Sequence, residues 1–121
     1  MTSQEVTVLP SAARTATPTP VTLATGYARG AHVVVDVTAI VTAPSITVVL
    51  EQQDATSGKW YPLLTSAAIT TVSTVVLKVY PGLPVAANVS QNDLLTETLR
   101  VSVNHGNANS ITYSVSAHLI Q

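Results

Sequence analysis

Three histidines carry the most versatile side chains of this sequence: His32, His105 and His118. An imidazole can act as a general acid, a general base or a metal ligand near neutral pH. No carboxylate and no second histidine lies two residues from any of them, so their spacing is not that of a metal site. Asp36 shares a strand face with His32, but about 13 Å separates them at about 3.3 Å per residue. We therefore predict surface or turn histidines, with no metal site and no catalytic role.

The carboxylates and hydroxyls form no catalytic pattern either. Two acidic pairs lie close in the sequence, Glu51 with Asp54 and Asp93 with Glu97. Paired carboxylates can cleave glycosidic bonds, but a domain with six acidic residues contains such pairs by chance. The sequence has no G-x-S-x-G motif and no cysteine nucleophile. We predict that the protein is not an enzyme and needs no cofactor.

The only tryptophan, Trp60, lies in the segment DATSGKWY, directly after a predicted turn. Asp54 begins that turn, and Gly58 supplies a positive φ. Trp60 and Tyr61 are neighbours, so they point to opposite faces of a strand and cannot form one aromatic platform. Pro62 lacks a backbone donor and marks an edge or a strand end. Trp60 is therefore expected to pack in the core or at a sheet edge, or to contact a partner protein.

The composition narrows the class of partner. Of 121 residues only 9% are charged and 46% are hydrophobic, while phenylalanine and cysteine are absent. A net charge of −1 with scattered basic residues argues against binding to nucleic acid through its phosphates. No apolar run is long enough to span a bilayer, and the N-terminus does not read as a signal peptide, so we expect no membrane partner. An exterior of Thr, Ser and Ala costs little to desolvate, which favours contact with other proteins.

β-branched residues alternate with polar ones along most of the chain, which predicts strands. In the strand over residues 31–41, we expect Val33, Val35, Val37 and Ala39 to share one face. In the strand over residues 45–54, we expect Ile46, Val48 and Leu50 to point inward. A helical turn is expected near residues 92–95. The predicted strands span residues 5–9, 21–25, 31–41, 45–54, 59–65, 74–80, 97–104 and 111–120. About eight short strands in a single domain predict an all-β antiparallel sandwich, and both a jelly roll and an immunoglobulin-like arrangement fit.

The first twenty residues differ from the rest, so we divide the chain into an N-terminal strand with a proline-rich arm (residues 1–20) and a sandwich domain (residues 21–121). Pro10, Pro18 and Pro20 favour an extended or polyproline-like arm over a strand in a central sheet. Such an arm is either ordered on a neighbouring molecule or a loose linker. Arg14 is the one charge within the proline-rich stretch. It either anchors the arm on a carboxylate or carbonyl or remains solvated.

Several segments together resemble small structural proteins of tailed bacteriophages, in particular head decoration (cement) proteins. They are LPSAARTATPTP, ARGAHVVVDVTAI, SITVVLEQQDATSGKWYPLLTSAAIT, VLKVYPGL and LRVSVNHGNANSITYSVSAHLI. The resemblance covers nearly the whole chain, and its most specific part is SAARTAT followed by ARGAHVVVDVTA. It implies a non-enzymatic β-sandwich, made in the host cytoplasm, that binds the major capsid protein on the outside of the virion as a homotrimer.

If the chain attaches to a shell, certain side chains are candidates for the contact because they are aromatic, apolar or part of the arm. The candidate interface residues are Arg14, Pro18, Pro20, Trp60, Tyr61, Tyr80 and Leu83. Alternative functions are another virion β-domain (at the head–tail junction, in the tail tube or in a fibre) and a carbohydrate-binding module. An enzyme ranks below both.

Overall fold

The computed structural model describes residues 3–121, which form nine β-strands and no helix. Val, Ile and Thr dominate these segments, because their branched Cβ atoms fit a pleated sheet. The strands are β1 (Ser3–Arg14), β2 (Val21–Ala24), β3 (Gly30–Ile40), β4 (Ile46–Gln53), β5 (Trp60–Thr65), β6 (Ser73–Val79), β7 (Ser90–Gln91), β8 (Thr98–His105) and β9 (Ile111–Ile120). Within this part of the chain no helix is available to cross a membrane.

The strands form two facing sheets, which confirms the predicted all-β sandwich. The larger sheet has the order β1-β9-β3-β6-β7, and the smaller sheet has the order β2-β8-β4-β5. Apart from the short β7, which runs parallel to β6, neighbouring strands are antiparallel. With β7 set aside, the chain changes sheet at every connection except the β4–β5 hairpin. This connectivity is that of a jelly roll, and it decides between the two arrangements that strand count left open.

The core lies between the sheets and takes alternate residues from each strand. Val33, Val35 and Val37 of β3 share one face, as predicted, and that face is buried. Tyr113 of β9 is the largest fully buried side chain, and its hydroxyl lies 2.9 Å from Nε2 of His105. Among residues 3–121 no buried side-chain nitrogen or oxygen lacks a hydrogen-bond partner. The sandwich therefore buries its apolar faces without leaving buried polar side-chain atoms unpaired.

The N-terminal strand is longer than the sequence predicted. β1 continues past residue 9 and pairs with β9 as far as Arg14. Register shifts on either side of Leu9 accommodate Pro10, which has no backbone donor and is tolerated in an edge strand. Val8 is buried against the core. Residues 3–14 thus belong to the sandwich, and only residues 15–20 of the predicted arm lie outside a strand, while residues 1 and 2 lie outside the described chain.

Two local predictions were wrong. Ala39 is exposed, because a register shift between Val37 and Ala39 turns the end of β3 by one residue. Residues 92–95 form no helical turn. The short β7 was missed, because two residues carry no periodic pattern.

Candidate protein interface

Several loops meet at the end of the sandwich where β3 begins and β4 ends. Backbone hydrogen bonds join them: Thr25 N–H donates to the Glu97 carbonyl at 3.1 Å, and Leu95 N–H donates to the Arg29 carbonyl at 3.0 Å. We call this region the aromatic end. It is defined by Tyr27, Tyr61, Tyr80, Leu83 and Leu94.

Tyr27 is the most exposed large apolar side chain of the described residues, with 93% of its surface accessible. A tight turn presents it, in which Gly26 has a φ of +61° and Ala28 N–H donates to the Thr25 carbonyl at 3.1 Å. The Thr25 hydroxyl donates to the Thr96 carbonyl, which ties this turn to the loop before β8. A shallow groove of about 370 Å³ lies beside it. An aromatic side chain that protrudes from a fixed turn suits insertion into a pocket of a partner.

Leu94 is presented by a loop that a buried glutamine holds in place. Oε1 of Gln52 accepts hydrogen bonds from the Thr96 backbone N–H at 2.6 Å and from the Thr96 hydroxyl at 3.0 Å. Its amide nitrogen donates to the Leu94 carbonyl at 3.4 Å. Because Gln52 is buried, these bonds form in a low dielectric and favour one loop conformation. The Leu94 side chain nevertheless remains 53% exposed.

Tyr80 and Leu83, both selected from the sequence, lie at the aromatic end and are half-buried. The Tyr80 ring covers Gly30, where an added Cβ would come within 2.4 Å of the ring's Cδ2. The Tyr80 hydroxyl donates to the Gln121 carbonyl at 3.4 Å, and its backbone carbonyl accepts from Leu83 N–H at 3.3 Å. These contacts fix the Tyr80 ring against the start of β3.

Trp60 is the first residue of the edge strand β5 and lies on the outer face of the smaller sheet. Of the expected positions, it therefore packs at a sheet edge and not in the core. The guanidinium of Arg100 lies 4.2 Å from the centroid of its ring and binds Oε1 of Glu51 at 2.9 Å. Tyr61 points to the other side of β5, is 40% exposed, and lines a second groove with residues 96–98. The two aromatic residues therefore form no common platform, as predicted.

Arg14, Pro18 and Pro20 lie away from the aromatic end, because β1 finishes beside the start of β9. Arg14 donates to the Tyr113 carbonyl at 2.8 Å and to the Pro10 carbonyl at 2.6 Å, and its guanidinium lies 4.6 Å from the centroid of the Tyr113 ring. Arg14 thus anchors on carbonyls, one of the two predicted alternatives, but these carbonyls belong to its own chain. Pro18 is half-buried and Pro20 is exposed in the connection to β2.

At this opposite end, His105 and Tyr113 share a hydrogen bond, and both have shifted pKa values. Burial, and then the charge of Arg14, lowers the pKa of His105. Burial also raises the pKa of the Tyr113 hydroxyl, with which His105 shares a hydrogen bond. Within residues 3–121 no group of three or more His, Cys, Asp or Glu side chains is placed to hold a metal ion.

Two histidines that are distant in sequence become neighbours on the outer face of the larger sheet. His32 of β3 is directly opposite His118 of β9. The same row continues to Glu5 on β1 and to Lys78 on β6. Burial, and then the charges of Lys78 and His118, lowers the pKa of His32. Sequence spacing could not reveal this pair, because its proximity depends on strand pairing.

Of the seven interface residues selected from the sequence, the structure brings Tyr61, Tyr80 and Leu83 to the aromatic end. Trp60 pairs with Gln53 and lies beside them, on the outer face of the smaller sheet. Sequence reasoning missed Tyr27 and Leu94. A signal for Tyr27 was present in the motif TGYARG, where a tyrosine follows a turn glycine. Leu94 gave none, because the irregular stretch around it has no period. Comparison of the chain with protein-family models, curated proteins and solved structures found no match.

Proposed function

We propose that this chain is a non-enzymatic structural protein of a tailed bacteriophage that binds the outer surface of the assembled capsid shell and stabilises it. In this proposal the partner is the major capsid protein, the protein attaches as a homotrimer, and the aromatic end makes the contact with the shell. The proposal extends the resemblance of segments such as ARGAHVVVDVTAI to head decoration proteins.

The aromatic end is the observation that carries the proposal. Tyr27 and Leu94 expose 93% and 53% of their surfaces, although hydrogen bonds fix the loops beneath them. Binding through ordered loops costs less conformational entropy than binding through loose ones, and the apolar side chains that they carry gain the free energy of burial. An exposed tyrosine on a fixed loop is therefore typical of a surface that another protein covers, and Leu94 adds apolar area beside it.

The low charge of the chain also supports the proposal. Five basic and six acidic residues are spread over 121 positions. A contact that buries few ions avoids their desolvation cost, so a small domain can bind without matching many charges on its partner. A cement protein is bound in many copies, and each copy attaches through the same small surface. A low desolvation cost at that surface therefore favours every attachment.

The jelly-roll topology is compatible with a virion protein, because viral capsid proteins are among those that use it. Lectins use it too, and a fold alone does not define a function. The topology therefore adds to the proposal without selecting the place in the virion.

A reconstruction of the virus particle that contains this chain tests the proposal. We expect density for the sandwich on the outside of the shell at three-fold positions, with the aromatic end facing the capsid protein. Density at the head–tail junction, in the tail tube or in a fibre would instead support another virion role.

Light scattering of the purified chain gives a second test. A stable trimer supports attachment at three-fold positions, whereas a hexamer or larger ring favours a connector or tail role. A monomer that binds glycans on an array would favour a carbohydrate-binding module and overturn the proposal.

A further inference from the structure

We propose that His32 and His118 form a binding site for a divalent transition-metal ion such as Zn²⁺ on the outer face of the larger sheet. The inference does not rest on shell attachment, although the pair lies near the aromatic end, since His32 is two residues from Gly30 at the start of β3. It rests on strand register, on the chemistry of imidazole and on the charges that flank the pair.

The register places the two histidines directly opposite each other on the antiparallel strands β3 and β9. Side chains at such positions have Cβ atoms about 4.5–5.5 Å apart and point to the same face. Two imidazoles at this separation can place one nitrogen each at about 2.0–2.1 Å from a shared zinc ion. Adjacent strands thereby supply a chelating pair without any motif in the sequence.

Both imidazoles are accessible to solvent, and neither forms a hydrogen bond within the described residues. His32 and His118 are half-buried on an open sheet face. Within residues 3–121 the only imidazole that forms a hydrogen bond is that of His105, which meets the Tyr113 hydroxyl at 2.9 Å. The third histidine of the chain is thus engaged in structure, while the other two can turn towards an ion.

The two residues that flank the histidine pair carry opposite charges, so one side of the pair is more favourable for a cation than the other. Glu5 on β1 lies opposite His118, and Lys78 on β6 lies opposite His32. The carboxylate attracts a cation and the ammonium group repels it. We therefore place the ion over His118 and His32 with its charge partly balanced by Glu5.

Imidazole nitrogen suits zinc, copper and nickel, whereas magnesium and calcium prefer oxygen ligands. No third His, Cys, Asp or Glu side chain of the described residues completes a cluster with this pair. Two protein ligands leave coordination positions that water or a side chain of a partner fills, which predicts a reversible surface site.

Titration calorimetry of the tag-free protein with zinc chloride at neutral pH tests the inference. We expect one Zn²⁺ per chain. His32→Gln and His118→Gln should each weaken binding by at least about tenfold, the lower limit seen when even an outer-shell partner of a metal is removed. His105→Gln is the matched control and should bind as the wild type does. Lys78→Gln should tighten binding, and Glu5→Gln should weaken it.

Nuclear magnetic resonance of the wild type provides a readout that does not depend on the folding of any variant. Added Zn²⁺ should shift or broaden the imidazole signals of His32 and His118 and leave those of His105 unchanged. Absence of saturable binding, unaltered affinity in both His32→Gln and His118→Gln, or an equal loss in His105→Gln would each overturn the inference.

Discussion

At the residue scale, a few polar side chains fix loops whose apolar side chains stay exposed. Gln52 does so from beneath, through three hydrogen bonds to the loop that carries Leu94. The Thr25 hydroxyl does so for the turn that carries Tyr27. Replacing a buried donor or acceptor of this kind costs more than the bond itself contributes, because its partner stays buried and unpaired. The exposure of Tyr27 and Leu94 is thus built into the structure.

Gly30 gives the first prediction at this scale. A Cβ at this position would meet the Val79 carbonyl oxygen at 2.2 Å and the Tyr80 ring at 2.4 Å, so Gly30→Ala forces backbone and ring apart. We expect the free energy of unfolding to fall by about 1–3 kcal/mol in urea denaturation. Gly106→Ala is the control, because its nearest contact, the Ser45 carbonyl oxygen, is 3.5 Å away. It should change stability by less than about 0.5 kcal/mol, and equal losses in the two variants would contradict the structure.

His105 gives a prediction about pH. Burial, and secondarily the charge of Arg14, lowers its folded-state pKa below 6.5. The unfolded chain therefore binds a proton more readily, and stability falls as pH drops through about 6.5 towards the folded-state pKa. We expect the free energy of unfolding to decrease between about pH 7.5 and about pH 5.5.

His105→Gln keeps a polar side chain near the Tyr113 hydroxyl and removes the titrating group. Its stability should depend less on pH than that of the wild type in the same range, measured by urea denaturation. The remaining dependence belongs partly to His32, whose pKa burial also lowers. Indistinguishable pH profiles for the two proteins would show that His105 does not titrate as the structure requires.

At the scale of elements, β1 is the part that the sequence described least well. Pro10 and the small residues after it predicted an arm, yet β1 pairs with β9 from residue 3 to residue 14. Two irregularities in register absorb Pro10, and Arg14 fastens the end of the strand to carbonyls of Pro10 and Tyr113. Such an edge resists pairing with other sheets, because bulges and proline interrupt its row of donors.

Arg14 therefore tests how β1 is held. Arg14→Ala removes charge-assisted hydrogen bonds and the contact with the Tyr113 ring, so the free energy of unfolding should fall by about 1–2 kcal/mol. Hydrogen exchange at the end of β1 should quicken as well. Arg29→Ala replaces an exposed arginine and should leave both measurements nearly unchanged. Unaltered exchange at Ala12 and Ala13 in Arg14→Ala would contradict the anchoring role.

The bounds of most strands could be predicted from alternation alone. β9 was predicted over its observed range, and Ile46, Val48 and Leu50 of β4 point inward as their spacing required. The predictions that were wrong or missing depended on strand register. Ala39 follows a bulge, and β7 exists only because β6 is beside it. Connectivity could not be predicted either, because strand count fits more than one arrangement of sheets.

The candidate interface was predictable only in part, for a similar reason. Side-chain type selected Tyr61, Tyr80 and Leu83, which do lie at the aromatic end. Arg14 was chosen as the charge of an arm, but its guanidinium is occupied by its own chain. The opposition of His32 and His118 arises from pairing between distant strands, which no local pattern encodes.

At the scale of the whole molecule, the two ends of the sandwich differ. Both carry exposed apolar residues, but the aromatic end presents Tyr27 and Leu94, whereas the opposite end presents Val41 and Val72. The two pairs allow a comparison between ends, because Val41 and Val72 are 59% and 58% exposed. Substitution at either end removes apolar surface without opening the core.

The central claim is that the aromatic end attaches the sandwich to a protein shell. The most direct measurement is co-sedimentation of purified variants with capsid shells of the parent virus that lack this chain. We expect the double variant Tyr27→Ser, Leu94→Ser to bind at least about tenfold more weakly, because truncation of interface anchors costs more than about 1–2 kcal/mol. The double variant Val41→Ser, Val72→Ser should bind as the wild type does. Wild-type affinity of the first variant, or an equal loss of affinity in both variants, would contradict the account.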